Sequence, residues 1–201
     1  NEIADYFINN FIDEKYLIFD MKKIGNNIFD DCFHYQNLYY LQDNLYQRFL
    51  FYYACKYNYF DIVKHFMKIL SSDINVKLDV MYISEKLTPL RLAVIKNSNE
   101  IVDLLITHPD IKFDEKCFMN YEQLVKIKIP SLMTSIETST FRGCSLLKEV
   151  IIPSSVSKIK ESAFYQCYSL EKITIPSSVE CIDDFAFFKC TSLITVNLSE
   201  N

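Results

Sequence analysis

Glycine occurs only twice in this 201-residue chain, at Gly25 and Gly143, and proline only five times. Tight hairpins and phosphate-cradling loops both lean on glycine's tolerance of positive φ, so both are disfavoured. The chain contains no GxSxG, HExxH, GxGxxG or P-loop, which removes the common hydrolase, zincin and nucleotide-binding signatures. It also has no CxxC, and its seven cysteines are an odd number, so a reducing compartment is the simpler expectation. No uncharged apolar run approaches the roughly 18 residues that span a bilayer. Nor is there an excess of positive charge. The net charge is −5, with 13 Lys+Arg against 18 Asp+Glu in residues 1–123 and 8 against 8 in residues 124–201. Nucleic acid and anionic membrane surfaces require a basic field that neither half supplies. What is abundant is apolar and aromatic material, 50% and 15% of residues, enough for a substantial core.

That material is ordered by repetition. From residue 124 the chain repeats every 23 residues without insertion or deletion. Pro130, Pro153 and Pro176 fall in register, as do Phe141, Phe164 and Phe187, and Cys144, Cys167 and Cys190. Further columns are Leu124, Leu147, Leu170 and Leu193; Ile127, Val150, Ile173 and Val196; Ile129, Ile152, Ile175 and Leu198; and Ile136, Ile159 and Ile182. The first six residues of each unit have strand spacing. Proline then ends the strand, because it offers no N–H to a ladder. The following A/T-F-x-x-C-x-x-L stretch is spaced by threes, which fits a helical or 3₁₀ turn. One such coil cannot bury its own apolar side, but stacked copies can, so the prediction is a solenoid with a parallel sheet along one surface. Stepping back 23 residues from Phe141, Cys144 and Leu147 reaches Phe118, Tyr121 and Leu124. Residues 113–123 therefore read as a half-repeat that caps the array, and the array is expected to be truncated at 201.

Leu147-Lys-Glu-Val-Ile-Ile-Pro-Ser-Ser-Val156 and Ala163-Phe-Tyr-Gln-Cys167, with their copies over 170–190, resemble the BspA-like leucine-rich repeats. The likeness covers 124–201. Thr140 stands where the later copies have Ala163 and Ala186, and only Gly143 keeps the glycine that such units often place before the cysteine.

Upstream, Thr88-Pro-Leu-Arg-Leu-Ala and Glu100-Ile-Val-Asp-Leu-Leu resemble an ankyrin repeat. Thr88 is placed as an N-cap, Pro89 at the first helical position, and Asn97 at the left-handed helix terminus where the family usually has Gly. Arg91 replaces the family's usual His. A second copy lies 39 residues earlier, with Ala54, Asn58, Asp61, Ile62 and Val63 matching Ala93, Asn97, Glu100, Ile101 and Val102. Its helices are expected over 47–57 and 60–70, with extra residues in a loop near 71–86. Residues 1–44, rich in Phe, Tyr, Ile and Leu, read as a divergent helical cap.

Individual motifs weigh toward structure. The Cys column reads as a packed ladder of small hydrophobes rather than a metal site. Asp30, Asp31, Cys32 and His34 match no ligand or nucleophile spacing. His65 and His108 lack a carboxylate partner at catalytic spacing and read as surface or interface residues, and Asp183-Asp184 as solvated surface. Asn197-Leu198-Ser199 is a glycosylation sequon only if the chain is secreted.

The expectation is thus an α+β repeat solenoid: a cap over 1–44, two ankyrin-like repeats over 45–112, and leucine-rich coils over 113–201, packed as one continuous body. The expected role is a non-catalytic scaffold that binds protein partners, with no cofactor or metal, no nucleic acid and no membrane span. The ankyrin-like segment implies the cytoplasm. The alternative is a cell-surface or secreted adhesin, as some BspA-like proteins are. Candidate binding residues are the variable strand positions Lys126, Glu149, Lys172 and Thr195, then Lys128, Ile151, Thr174 and Asn197, about 5 Å apart between coils. Arg91 and the loop near 71–86 are the candidates in the helical part.

Overall fold

A computed structural model describes residues 51–52, 54–68, 75 and 87–198. The expected cap over 1–44, the Asp30–His34 cluster, most of the 71–86 loop, the side chain of His65 and Ser199 of the sequon lie outside the described residues. Among the described residues, helical turns at 51–52 and 54–56 precede the helices α1 (Phe60–Phe66), α2 (Pro89–Ile95) and α3 (Asn99–Leu105). Seven short strands follow: β1 (Lys126–Lys128), β2 (Ser135–Ile136), β3 (Glu149–Ile151), β4 (Lys158–Ile159), β5 (Lys172–Ile175), β6 (Cys181–Ile182) and β7 (Thr195–Leu198).

The helical part repeats a helix–left-handed turn–helix unit. Thr88 caps α2, its Oγ1 accepting from the Arg91 N–H at 3.3 Å, and Pro89 occupies the first turn, where a missing N–H costs nothing. Asn97 closes α2 with φ +52°, and the Ser98 N–H reaches back to the Ala93 carbonyl at 2.9 Å. Asn58 has φ +61°, and the Tyr59 N–H reaches the Ala54 carbonyl at 2.9 Å, the same closure 39 residues earlier. Asn tolerates this conformation better than other non-glycine residues, which is why the turn forms twice without glycine. Ala54, Val63, Ala93 and Val102 fill the space between the helices and are all buried.

The coils stack with a shift of 23 residues. β1 pairs with β3 in parallel, Lys126 opposite Glu149 and Ile127 opposite Val150, and β5 pairs with β7, Lys172 opposite Thr195 and Thr174 opposite Asn197. β2, β4 and β6 form a separate parallel sheet, Ile136 opposite Ile159 opposite Ile182. The single sheet expected from the sequence is therefore three small ones on two surfaces. The Pro130, Pro153 and Pro176 breaks turn the chain after each first strand: their carbonyls accept from the N–H groups of Met133, Val156 and Val179. The column Ile136, Ile159 and Ile182 can then build a second ladder.

The turn side of each coil is a chain of three-residue closures. Cys144 N–H bonds to the Phe141 carbonyl and Leu147 N–H to Cys144, repeated at Cys167, Leu170, Cys190 and Leu193. Two positions per coil take positive φ: Lys116, Ser139, Ser162 and Phe185, then Asn120, Gly143, Gln166 and Lys189. Glycine stands at only one of these eight. A Cβ on Gly143 would overlap the side-chain oxygen of Asn120, whereas Gln166 and Lys189 stack on other coils and keep their side chains. Thr140 is fully buried in the alanine column, its hydroxyl bonded to the Glu137 carbonyl at 2.8 Å.

Inside, Phe118, Phe141, Phe164 and Phe187 stack ring on ring, with centroids 5.4, 5.2 and 5.2 Å apart and planes within 9°. Phe113 closes the upper end edge-on to Phe118 at 4.9 Å. Beside this row the thiols of Cys144, Cys167 and Cys190 donate to the carbonyls of Phe118, Phe141 and Phe164, one coil back, at 3.1, 3.2 and 3.0 Å. The cysteine ladder is thus a hydrogen-bond ladder as well as packing. Burial pushes the Cys144 thiol up to about 12, and the adjoining Cys190 thiol together with burial pushes Cys167 up, so both remain donors at neutral pH. Six cysteines among the described residues carry no disulfide. Four of them are buried, Cys190 is half-buried and Cys181 is exposed.

One apolar cluster runs without interruption from Phe51 through Leu105 and Phe118 to Ala186, so the helices and coils share a core. Polar ties reinforce the junction. Tyr121 donates its hydroxyl to Asn99 at 2.8 Å, Asn75 bridges the Asp110 carbonyl and the Lys112 N–H, and Arg91 donates to the carbonyls of Cys117 and Met119.

Candidate functional site

Side chains alternate along a strand, so a parallel ladder in strict register sorts one face to the core and the other to water. In β1, β3 and β5 the central Ile127, Val150 and Ile173 are buried, while Lys126, Lys128, Glu149, Ile151, Lys172 and Thr174 are exposed. Thr195 and Asn197 of β7 continue the same columns and are exposed too. All eight expected strand positions therefore lie on the outer side of the β1–β3 and β5–β7 sheets, in columns set by the 23-residue period.

Their electrostatics are uneven. Lys126 Nζ lies 2.8 Å from Glu149 Oε1, an exposed pair of small energetic weight. Among the described residues Lys128 and Lys172 form no ion pair. Between them stands Ile151, opposite Lys128 in register and 42% exposed. The face can therefore offer two uncompensated cations and one apolar contact, surrounded by hydroxyl and amide side chains.

Arg91 does not join this face. Its guanidinium is bound to two main-chain carbonyls of the first coil, which makes it a tie between helix and coil rather than a free binding side chain. His108 is buried, and its ring Nδ1 accepts from the Asp110 N–H at 3.2 Å. Asp183 is engaged as well, accepting from the Cys181 thiol and pairing with Lys158 at 3.2 Å. Among the described residues no group of three His, Cys, Asp or Glu side chains could hold a metal ion. No helix among them is long and apolar enough to cross a membrane.

A second, partly exposed stripe escaped the sequence reading. Arg142 lies over the Tyr165 ring at 4.6 Å, Tyr165 stacks on Phe188 at 5.4 Å, and Phe185 meets Phe188 edge-on at 5.7 Å. The signal was present as another column of period 23, Arg142, Tyr165 and Phe188, whose members change chemistry and so did not read as a repeat.

Parallel coils of constant length, an inward leucine–isoleucine–phenylalanine pattern and a cysteine before each return define a leucine-rich repeat protein. The chain belongs to the BspA type leucine-rich repeat region family, whose six-copy model matches residues 1–124 and 111–201. No catalytic family is indicated. Among solved structures the chain is similar to a leucine-rich repeat protein from Bacteroides capillosus, with 32% identity over 43% of this chain and 62% of that one and a TM-score of 0.40. It is also similar to a leucine-rich cell surface protein from Faecalibacterium prausnitzii, with 35% identity over 42% of this chain and 22% of that one and a TM-score of 0.41. A leucine-rich repeat protein from T. pallidum is 26% identical over 41% of this chain and 50% of that one, with a TM-score of 0.36. The chain thus spans less than two thirds of each of these proteins. No curated protein matches it.

Proposed function

We propose that this chain is a non-catalytic protein-binding repeat module of the cell-surface adhesin kind, and that the exposed face of β1, β3, β5 and β7 is its binding surface. One observation carries the reading. Coil after coil keeps the same buried residues, while the eight outward strand residues differ from coil to coil and share one exposed face. Solenoids present such surfaces to macromolecules. The surface location rests on the family. Its model takes in residues 1–124 as well as 111–201, which weakens the ankyrin-like reading of 45–112 from which a cytoplasmic location followed. The division into a cap over 1–44, helix pairs over 45–112 and coils over 113–201 belongs to the same proposal.

An intracellular scaffold is the second reading, favoured by the two helix–turn–helix units closed at Asn58 and Asn97. Antibody labelling of intact against permeabilised source cells separates the two. Labelling of intact cells supports the adhesin, and labelling only after permeabilisation supports the scaffold. For the face itself, the variant Lys126→Glu/Glu149→Lys/Lys172→Glu should lose capture of partners that the native chain pulls down, with its melting curve unchanged. Undiminished capture of every partner by that variant would remove the strand face from the proposal.

A further inference from the structure

We infer that the strand face takes an extended acidic peptide with an apolar residue midway between two carboxylates, in the pattern acid–x–aliphatic–x–acid. This rests on the reading of that face as a binding surface and adds the chemistry of its partner. The charge bookkeeping comes first. The face carries three lysines and one glutamate in a chain whose net charge is −5. Lys126 and Glu149 neutralise each other at 2.8 Å. The uncompensated charges are Lys128 and Lys172, both exposed and both without an ion pair among the described residues. A local cationic pair selects an anionic partner.

Geometry narrows the partner. Lys128 and Lys172 are two coils and two strand positions apart: Lys128 is opposite Ile151 in the β1–β3 sheet, and Lys172 begins β5, which lies beside β3 without pairing to it. With about 4.8 Å between coils and about 3.3 Å per residue, their Cα atoms are about 12 Å apart along a diagonal. Ile151 sits beside the middle of that diagonal, its side chain 42% exposed. In an extended peptide, alternate side chains share a face, and residues i and i+4 are separated by about 13 Å. Carboxylates at i and i+4 therefore meet the two lysines, and an aliphatic side chain at i+2 falls on Ile151. Thr174, next to Ile151 in its column, supplies a hydroxyl at the rim.

The test uses the full 201-residue chain and fluorescein-labelled peptides. The first peptide is Gly-Ser-Asp-Thr-Ile-Thr-Asp-Ser-Gly; a second has Lys in place of both Asp; a third has Ser in place of Ile. The expected result is saturable anisotropy change with the first peptide, weakened about tenfold by Lys128→Glu/Lys172→Glu and by raising salt from about 50 to about 500 mM. Ile151→Ser and the third peptide should each lower affinity severalfold, and the Lys peptide should not bind. If the double Glu variant fails to fold, Lys128→Gln/Lys172→Gln serves in its place with the same expectation. Equal binding of the Lys peptide, or no loss in the lysine variants, overturns the inference. Equal binding of the third peptide, or of heparin, shows a general anion patch and overturns it too. If no peptide binds while partner capture still depends on the strand-face variant, the partner chemistry assigned here is wrong and the binding face stands. If capture is independent as well, the face itself is lost.

Discussion

Two coils with nearly the same sequence have different fates in this molecule. Phe164 and Phe187 occupy equivalent places, as do Cys167 and Cys190, yet Phe164 and Cys167 are fully buried while Phe187 and Cys190 are only partly so. The strand residues diverge further: Ile173 is 2% exposed, whereas its counterpart Val196 is 53% exposed. Composition cannot explain this, since the residues match. What differs is the number of neighbours, two for the inner coil and one for the outer among the described residues. Burial in a stack of coils belongs to the interface between units, and a coil acquires its stability from what lies on either side.

The contrast is broken most strongly at the aromatic row. Phe164→Ala removes a ring stacked on both faces and should cost about 3–5 kcal/mol. Phe187→Ala should cost clearly less, because one ring face has no partner among the described residues. Denaturant melts of both variants check the difference, and equal losses would mean that stacking on both faces adds nothing. Next is Gly143, the one glycine among the eight positive-φ positions, with the Asn120 side chain close beside it. Gly143→Ala should destabilise by about 1–3 kcal/mol through left-handed strain and the collision with Asn120. Lys189→Ala, in the same column, should change stability by less than about 0.5 kcal/mol.

A smaller effect is expected along the thiols. Cys167→Ala removes one of the two donors to the Phe141 carbonyl, which keeps the Cys144 N–H, and should cost about 1 kcal/mol, with Cys190→Ala about half as much. The smallest effect concerns pH. Partial burial pushes the Glu137 carboxyl up, but hydrogen bonds from Lys160 and Ser135 and the charge of Lys160 outweigh it, so the group lies below its usual value. A depressed carboxylate contributes stability that is fully present above the unfolded value near 4 and fades as pH falls through the folded value. Glu137→Gln should therefore lower the melting temperature at pH 7 slightly, with the gap to the native chain closing below about pH 4. A gap that persists at pH 3 would assign the effect to packing rather than charge.

Much of the coil architecture was legible because a translational repeat shows every rung several times. A column such as Phe141, Phe164 and Phe187 states its own burial when it recurs without exception. The second ladder was harder, since β2, β4 and β6 are two residues long and a period-two pattern cannot show in so short a run. The thiol-to-carbonyl bonds were invisible because spacing identifies neighbours but not donor direction. The ties made by Arg91 were hidden for a related reason. Its partners, the Cys117 and Met119 carbonyls, are main-chain atoms, and no side-chain pattern announces them. The exposed strand face was read correctly because strand alternation alone assigns which side each residue takes. Its charge imbalance needed the structure, which shows Lys126 and not Lys128 beside Glu149.

Hydrogen exchange along the full chain tests the stacking of coils most directly. The amides of Phe141 and Phe164 donate to the carbonyls of Ala163 and Ala186 on the following coil, both at 2.8 Å. They should be the slowest to exchange, with protection falling toward Thr195–Leu198. Fast exchange at Phe141 and Phe164, or protection that rises toward residue 198, would contradict a body built from coils that hold one another in register.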